Sequence, residues 1–219
     1  MKPRAPRSPN AVETTTTVTV VRHGESGANR RGAYAGHTPT RLTRHGVSQA
    51  TQTARSLATQ AISAVVSGPL PRARQTANVI AAACGVSPET STALDEIALG
   101  PWDGLTRGEI AARYPAEWSI WRERPEHLEL PGFEPLDDAS ARIAAALRDV
   151  HRKRPGTQVV VVTHEALIRL AALRSLDLPI SAYRRLRAVP CSISEFAVCD
   201  DRLKLISLNS TTHLLEGRA

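Results

Sequence analysis

The sequence predicts an α/β fold, a three-layer α/β/α arrangement around a central, mostly parallel mixed sheet with a lid-like insertion. Three observations carry that expectation. β-branched runs alternate with helical patterns along the chain, one run is apolar at nearly every position, and the last two strand-like segments flank a short polar turn. Alternation of strand and helix makes a parallel sheet, an uninterrupted apolar run marks a strand covered on both faces, and the terminal pair adds an antiparallel edge. A length of 219 residues and 42% hydrophobic content suit one core, since single cores stop growing only beyond about 250–300 residues.

Residues 1–13 read as a disordered basic tail and residues 14–219 as a single domain. Lys2, Arg4 and Arg7 stand among prolines, and the stretch has neither the apolar centre of a signal peptide nor the span of a membrane helix. A cytoplasmic protein is expected. Thr15 to Arg22 is β-branched and reads as a strand ending in Arg-His-Gly. Thr43 can cap a helix with Val47, Ala50, Ala54, Leu57 and Ala58 on one face, and Ala64 to Ser67 is then a short strand. Pro71 suits the first turn of a helix running to Cys84, where Gly85 can end it in a left-handed conformation.

Gly100 to about Leu136 is the least regular stretch and is the expected lid insertion. Asp137 starts a helix reaching about Lys153, with Ile143, Ala144 and Leu147 on one face. Gln158 to Thr163 (QVVVVT) is the central strand, and Glu165 to Leu176 continues as a helix. Ile193 to Val198 and Leu203 to Ser207 flank Asp200-Asp201 as an antiparallel hairpin.

Net charge of +7 and a pI near 10.0 raise nucleic acid as a partner, but the distribution argues against it. Arginines are scattered, several sit beside acids, and 4% aromatic content leaves little to stack bases on. Cys84, Cys191 and Cys199 make an odd set without C-x-x-C spacing, as expected of reduced thiols.

The chemistry concentrates where two apolar strands each end in a histidine: Val20-Val21-Arg22-His23 and Val161-Val162-Thr163-His164. Ligands of open α/β sheets bind beyond the carboxyl ends of the strands, and neighbouring strands lie about 4.8 Å apart. Two imidazoles would then share a pocket. Gly24 allows the backbone to pass close to a ligand, and Arg22 brings a planar fork of donors matched to phosphate oxygens. The strand ending at Ser67 leads into Pro69 to Thr76, where Arg72 adds a second fork. Glu96 is the carboxyl group for proton transfer, and its pKa should rise beside a phosphate.

These residues carry a resemblance. Arg22-His23-Gly24-Glu25-Ser26 resembles the R-H-G-E signature of the histidine phosphatase superfamily, which includes cofactor-dependent phosphoglycerate mutases. Ser67 to Thr76 is similar to its S-x-L-x-R-x-x-Q-T pattern, Leu94 to Gly104 to L-x-E-x-x-x-G-x-W-x-G, Pro131 to Glu134 to P-G-G-E, and Val162-Thr163-His164 to V-[ST]-H. Leu208 to Leu214 resembles the tail of its phosphatase-type members.

The resemblance implies a phosphatase acting on a small phosphorylated substrate through a phosphohistidine on His23, with neither metal nor organic cofactor. His23, Glu96, His164, Arg22 and Arg72 are its catalytic set; Arg22, Asn29, Arg72 and His164 would hold phosphate. His37, Arg41, Trp102 and Glu165 are candidate substrate or lid contacts, although packing is favoured for Trp102, Trp118 and Trp121. The chain departs from the pattern where Pro39-Thr40-Arg41-Leu42-Thr43 replaces an acidic loop, where Glu165-Ala166 replaces Gly-Gly, and where Pro135 replaces serine. Mutase-like phosphotransfer and a non-catalytic phosphate-binding module are the alternatives, and a homo-oligomer is compatible with either.

Overall fold

The computed structural model describes residues 14–200 and 202–214. The expected tail over residues 1–13, and Asp201 in the expected hairpin turn, lie outside the described residues. Strands β1 (Thr16–Arg22), β2 (Ile62–Ser67), β3 (Pro88–Thr90), β4 (Gln158–Thr163), β5 (Ile193–Cys199) and β6 (Arg202–Ser210) form one sheet. Their order is β3-β2-β4-β1-β5-β6. The first four pair in parallel, whereas β5 joins β1 and β6 joins β5 antiparallel. The mixed, mostly parallel sheet read from the sequence is the one that forms, with β4 inside it.

The valine run of β4 serves both faces at once. Val159 and Val161 enter the core shared with α6 (Leu136–Lys153) and α7 (Glu165–Ser175). Val160 and Val162 enter the opposite core, against Ala54 and Leu57 of α2 (Arg44–Leu57) and Ala73, Ala77 and Ile80 of α3 (Pro71–Cys84). Side chains alternate across a strand, so only an all-apolar sequence satisfies a sheet covered on both sides. Burying each such valine contributes about 1.5–3 kcal/mol.

Local signals set the helix ends. Thr43 Oγ1 accepts from the Gly46 amide at 3.0 Å and starts α2. Pro71 occupies the first turn of α3, and Gly85 at φ 69° ends it. Two short elements lie below the reach of periodicity: β3, and α1 (Gly27–Arg31), which a Ser26–Asn29 capping box starts and Gly32 at φ 68° stops.

The stretch from Gly100 to Leu136 is more regular than expected, holding α4 (Arg107–Arg113), α5 (Pro115–Glu123) and short 3-10 turns. Its aromatic residues form a packed cluster. Trp102 is 0% exposed, with ring centroids of Trp121 at 6.1 Å, Trp118 at 6.2 Å, Phe133 at 6.4 Å and Tyr34 at 6.5 Å. This corrects the expectation that Trp102 is a candidate substrate contact. Edge-to-face packing consumes its whole surface and leaves no face for a ligand. No helix among the described residues is long and apolar enough to cross a membrane.

A second correction concerns Gly24. What approaches it is protein backbone, since a Cβ at this position would lie 2.5 Å from the Gly46 carbonyl oxygen, and one on Gly46 would lie 2.1 Å from that of Glu25. The paired glycines let the first turn of α2 press on the loop after β1, and Val47, expected on the buried face, is 45% exposed in that turn. Gly46→Ala should therefore destabilise the protein by ~1–3 kcal/mol or more, the range for overpacking. A urea midpoint equal to wild type would show that the contact relaxes freely.

Candidate active site

Parallel pairing of β1 with β4 sets Val21 opposite Val162 and Arg22 opposite Thr163. His23 and His164, one residue farther on each chain, therefore leave the two strand ends side by side. The His23 amide donates to the Thr163 carbonyl at 3.0 Å, and the ring centroids are 5.1 Å apart. Both residues are buried.

His23 Nδ1 lies 2.7 Å from the Gly24 carbonyl oxygen. A carbonyl only accepts, so Nδ1 carries the proton and Nε2 keeps a free lone pair. Burial, Arg72 and Arg22, in that order, push the His23 pKa well below the ordinary imidazole value. Burial and the same arginines do likewise for His164. Both rings are neutral at pH 7. Neither nitrogen of His164 has a hydrogen-bond partner, an exceptional state for a buried polar group. Gly68 helps make room, as a Cβ there would come within 3.4 Å of His164 Nε2.

The two guanidiniums are fixed by main-chain oxygens. Arg72 donates through Nη2 to Ala35 at 2.7 Å and Gly36 at 2.8 Å, and through Nη1 to Thr38 at 3.1 Å. Arg22 Nη1 donates to the Ala188 carbonyl and meets Glu165 Oε2 at 2.9 Å, while its Nε is buried without a partner. Burial pushes the Glu96 carboxyl up to about 7 against the opposite pull of Arg72. The Asn29 Oδ1 accepts from the amide and hydroxyl of Ser26, each at 3.0 Å, so the amide nitrogen is the end left for a ligand.

The peripheral candidates divide. His37 Nε2 donates to the Glu96 carbonyl at 2.9 Å, joining its loop to the Glu96 segment. Arg41 is exposed and forms no ion pair with a described residue. Glu165 lies within the cluster, on Arg22. Pro135 starts α6. Among the described residues no group of three or more His, Cys, Asp or Glu is arranged to hold a metal ion. The large groove of about 810 Å³ between α6, α7 and β6 shares no residue with the histidine pair.

A family model described as the histidine phosphatase superfamily, branch 1, matches residues 18–211. The chain belongs to this superfamily. Phosphoserine phosphatase 1 of Hydrogenobacter thermophilus is 30% identical over 197 residues, 90% of this chain and 93% of that protein. A probable phosphoglycerate mutase of Yersinia pestis is 32% identical over 186 residues, 81% of this chain and 82% of that protein. Among solved structures, YhfR of Bacillus stearothermophilus superposes with a TM-score of 0.87 at 22% identity, covering 91% of this chain and 99% of its own, a likeness of fold. Mycobacterial glucosyl-3-phosphoglycerate phosphatase gives 0.81 at 26% identity over 90% of this chain and all (100%) of its own.

In this histidine phosphatase several supporting residues escape a reading by motif. Arg142 grips both oxygens of Glu134, at 2.7 and 2.8 Å, and donates to the carbonyls of Ala93 and Asp95 at 3.0 and 2.9 Å. It thus anchors the segment that carries Glu96. Thr163 Oγ1 donates to the Leu94 carbonyl at 2.8 Å, and Asp95 Oδ1 stands 4.0 Å from His164 Nε2. The Cys191 amide donates to the carbonyls of Arg22 and His23, at 3.0 and 3.3 Å. Their common signal is spatial, except that Asp95 adjoins Glu96 and Thr163, already part of the V-[ST]-H match, adjoins His164 in sequence. Arg142→Met should cost ~1 kcal/mol or somewhat more, because it leaves half-buried polar partners unpaired, and should lower turnover by displacing Glu96. Unfolding and activity measured together check this, and loss of neither would sink the anchoring role.

Proposed function

We propose that this chain is a phosphatase that hydrolyses small phosphomonoesters through a phosphohistidine on Nε2 of His23. The observation that carries the reading is the hydrogen bond from His23 Nδ1 to Gly24. It commits one nitrogen as donor and keeps the other as a nucleophile, in a ring that burial and two arginines hold neutral. Membership of the superfamily, and relatives named as phosphatases, support the same chemistry.

The phosphoryl group of the substrate binds between Arg22, Arg72 and His164, with the Asn29 amide as a further donor. The Nε2 lone pair of His23 attacks phosphorus, and the bond from phosphorus to the ester oxygen breaks. Glu96 gives its proton to the departing alkoxide. Water then attacks the phosphohistidine and transfers a proton to the Glu96 carboxylate, and the phosphorus–nitrogen bond breaks to return the lone pair to His23. Arg22 and Arg72 offset charge on the equatorial oxygens in both steps, fixed beforehand by their carbonyl partners so that little reorganisation is needed. The chemistry therefore has its electrostatic partners without a metal. The stretch from Gly100 to Leu136 is the proposed cover of the leaving-group side, with Trp102 its packed interior.

His23→Ala should abolish phosphate release from wild-type levels and remove an acid-labile phosphoenzyme, with chelator present throughout. Phosphate release that survives this substitution would overturn the mechanism.

Glu96 must be protonated for the first step, and its carboxyl in the free site titrates at about 7. Below that pH the acid is loaded, whereas above it the proton is lost, so kcat/KM for alkyl phosphates should fall as pH rises through about 7. Glu96→Gln should remove this limb and lower kcat by ~10²–10⁴, the contribution typical of a general acid. Aryl phosphates, whose leaving groups need less protonation, should lose less. An unchanged alkaline limb in the variant would assign the titration to another group.

A further inference from the structure

Glu165 opens α7 directly after His164, and its carboxylate is gripped from two sides. Oε2 lies 2.9 Å from Arg22 Nη1, and Oε1 accepts from Nη2 of Arg169, one turn farther along the helix. Arg169 is itself held with its guanidinium carbon 5.2 Å from the centre of the Tyr183 ring. The arginine side chains are 11% and 17% exposed and that of Glu165 30%, so this is a built contact and not a surface encounter. The Nε atoms of both arginines are buried without a partner.

Guanidiniums converging on one carboxylate are the chemistry of an anion-binding seat. Here the anion belongs to the protein. Glu165 directly follows His164 and its carboxylate lies 2.9 Å from Arg22 Nη1, so it borders the pocket that receives the ester, and its negative charge adds to burial in raising the Glu96 carboxyl.

We propose that Glu165 fills a second anion seat made by Arg22 and Arg169, and thereby selects phosphomonoesters whose leaving group carries no negative charge near the ester oxygen. The inference rests on the phosphatase reading above and names its substrate class: phosphate esters of neutral or cationic alcohols. A carboxylate or second phosphate on the leaving group meets a like charge where the guanidinium edges that hold Glu165 would otherwise receive it. Arg22 keeps Nε for the reacting phosphate while Nη1 holds Glu165, so the internal anion orients the arginine without being displaced. Glu165 is thus a specificity-determining residue, and transfer to a second phosphorylated acceptor is disfavoured for the same reason.

Glycerol 3-phosphate and 3-phosphoglycerate test this directly, because they differ only in a neutral hydroxymethyl group against a carboxylate. Dissociation constants by calorimetry and kcat/KM would be measured for both esters with wild type, Glu165→Gln, and Glu165→Gln combined with Arg169→Gln. Wild type should favour glycerol 3-phosphate about tenfold or more, a difference expected for one like-charge contact. Glu165→Gln should shift the ratio at least about tenfold towards 3-phosphoglycerate, mainly in Kd and KM, and the double variant should return most of that shift. A ratio within about twofold of wild type in Glu165→Gln, or an undiminished shift in the double variant, would overturn the proposal. So would a wild-type protein that binds 3-phosphoglycerate more tightly, with no variant needed. If wild type binds both esters and hydrolyses neither, the phosphatase reading fails, while the ratio of dissociation constants still decides the role of Glu165.

Discussion

The parallel pairing of β1 with β4, in a register that sets Arg22 opposite Thr163, is the constraint on which the site depends. A one-residue slip would turn the alternating valines of either strand from one core to the other. Both cores hold the register, since Val159 and Val161 belong to one and Val160 and Val162 to the other. The two imidazoles inherit their 5.1 Å separation from that packing. The apolar interior and the polar pocket are consequently one structural decision, and the nucleophile needs no strained backbone of its own.

Burial then sets the protonation states. Two unit charges about 4 Å apart at an effective dielectric near 20 interact by ~4 kcal/mol, so protonated imidazoles beside Arg22 and Arg72 would be costly even before desolvation. Desolvation is the larger cause at both histidines and at Glu96. It acts in opposite directions on the proton count: the histidines lose theirs and the carboxyl keeps its own. A base poised as nucleophile and an acid poised as donor therefore arise from the same low-dielectric environment. Burial pulls the pKa of the two guanidiniums down, and carboxylates oppose it, Glu165 foremost at Arg22 and Glu96 at Arg72, while the main-chain carbonyls of Ala35, Gly36, Thr38 and Ala188 fix their positions.

The strands and long helices were legible because each is governed by a local pattern: the valine run of β4, Thr43 before α2, and Pro71 and Gly85 around α3. The histidine pair was legible because each member ends such a strand. What escaped depends on contacts distant in sequence. Nothing near Trp102 reveals that Tyr34 and Phe133 will enclose it, nor does the sequence around Gly24 point to Gly46. Arg142 lies on an amphipathic helix where an exposed arginine is ordinary, and only the folded chain brings it to Glu134 and the Glu96 segment. Glu165 was visible as a charge beside His164, but its partnership with Arg22 required the fold.

The salt bridge on Glu165 also separates two questions that share one active site. Attack at phosphorus needs a neutral imidazole, positive charge around the equatorial oxygens and an acid for the leaving group, and the residues for all three lie on strand ends and on the segments tied to them. Selection among esters depends on the charges that border the pocket, where α7 contributes Glu165 and Arg169 from adjacent turns. A helix delivers such a pair at no cost to the sheet, because residues four apart share a face. The face of α7 nearest the pocket can therefore change its charge while the strand register, and with it the phosphohistidine chemistry, stays as it is.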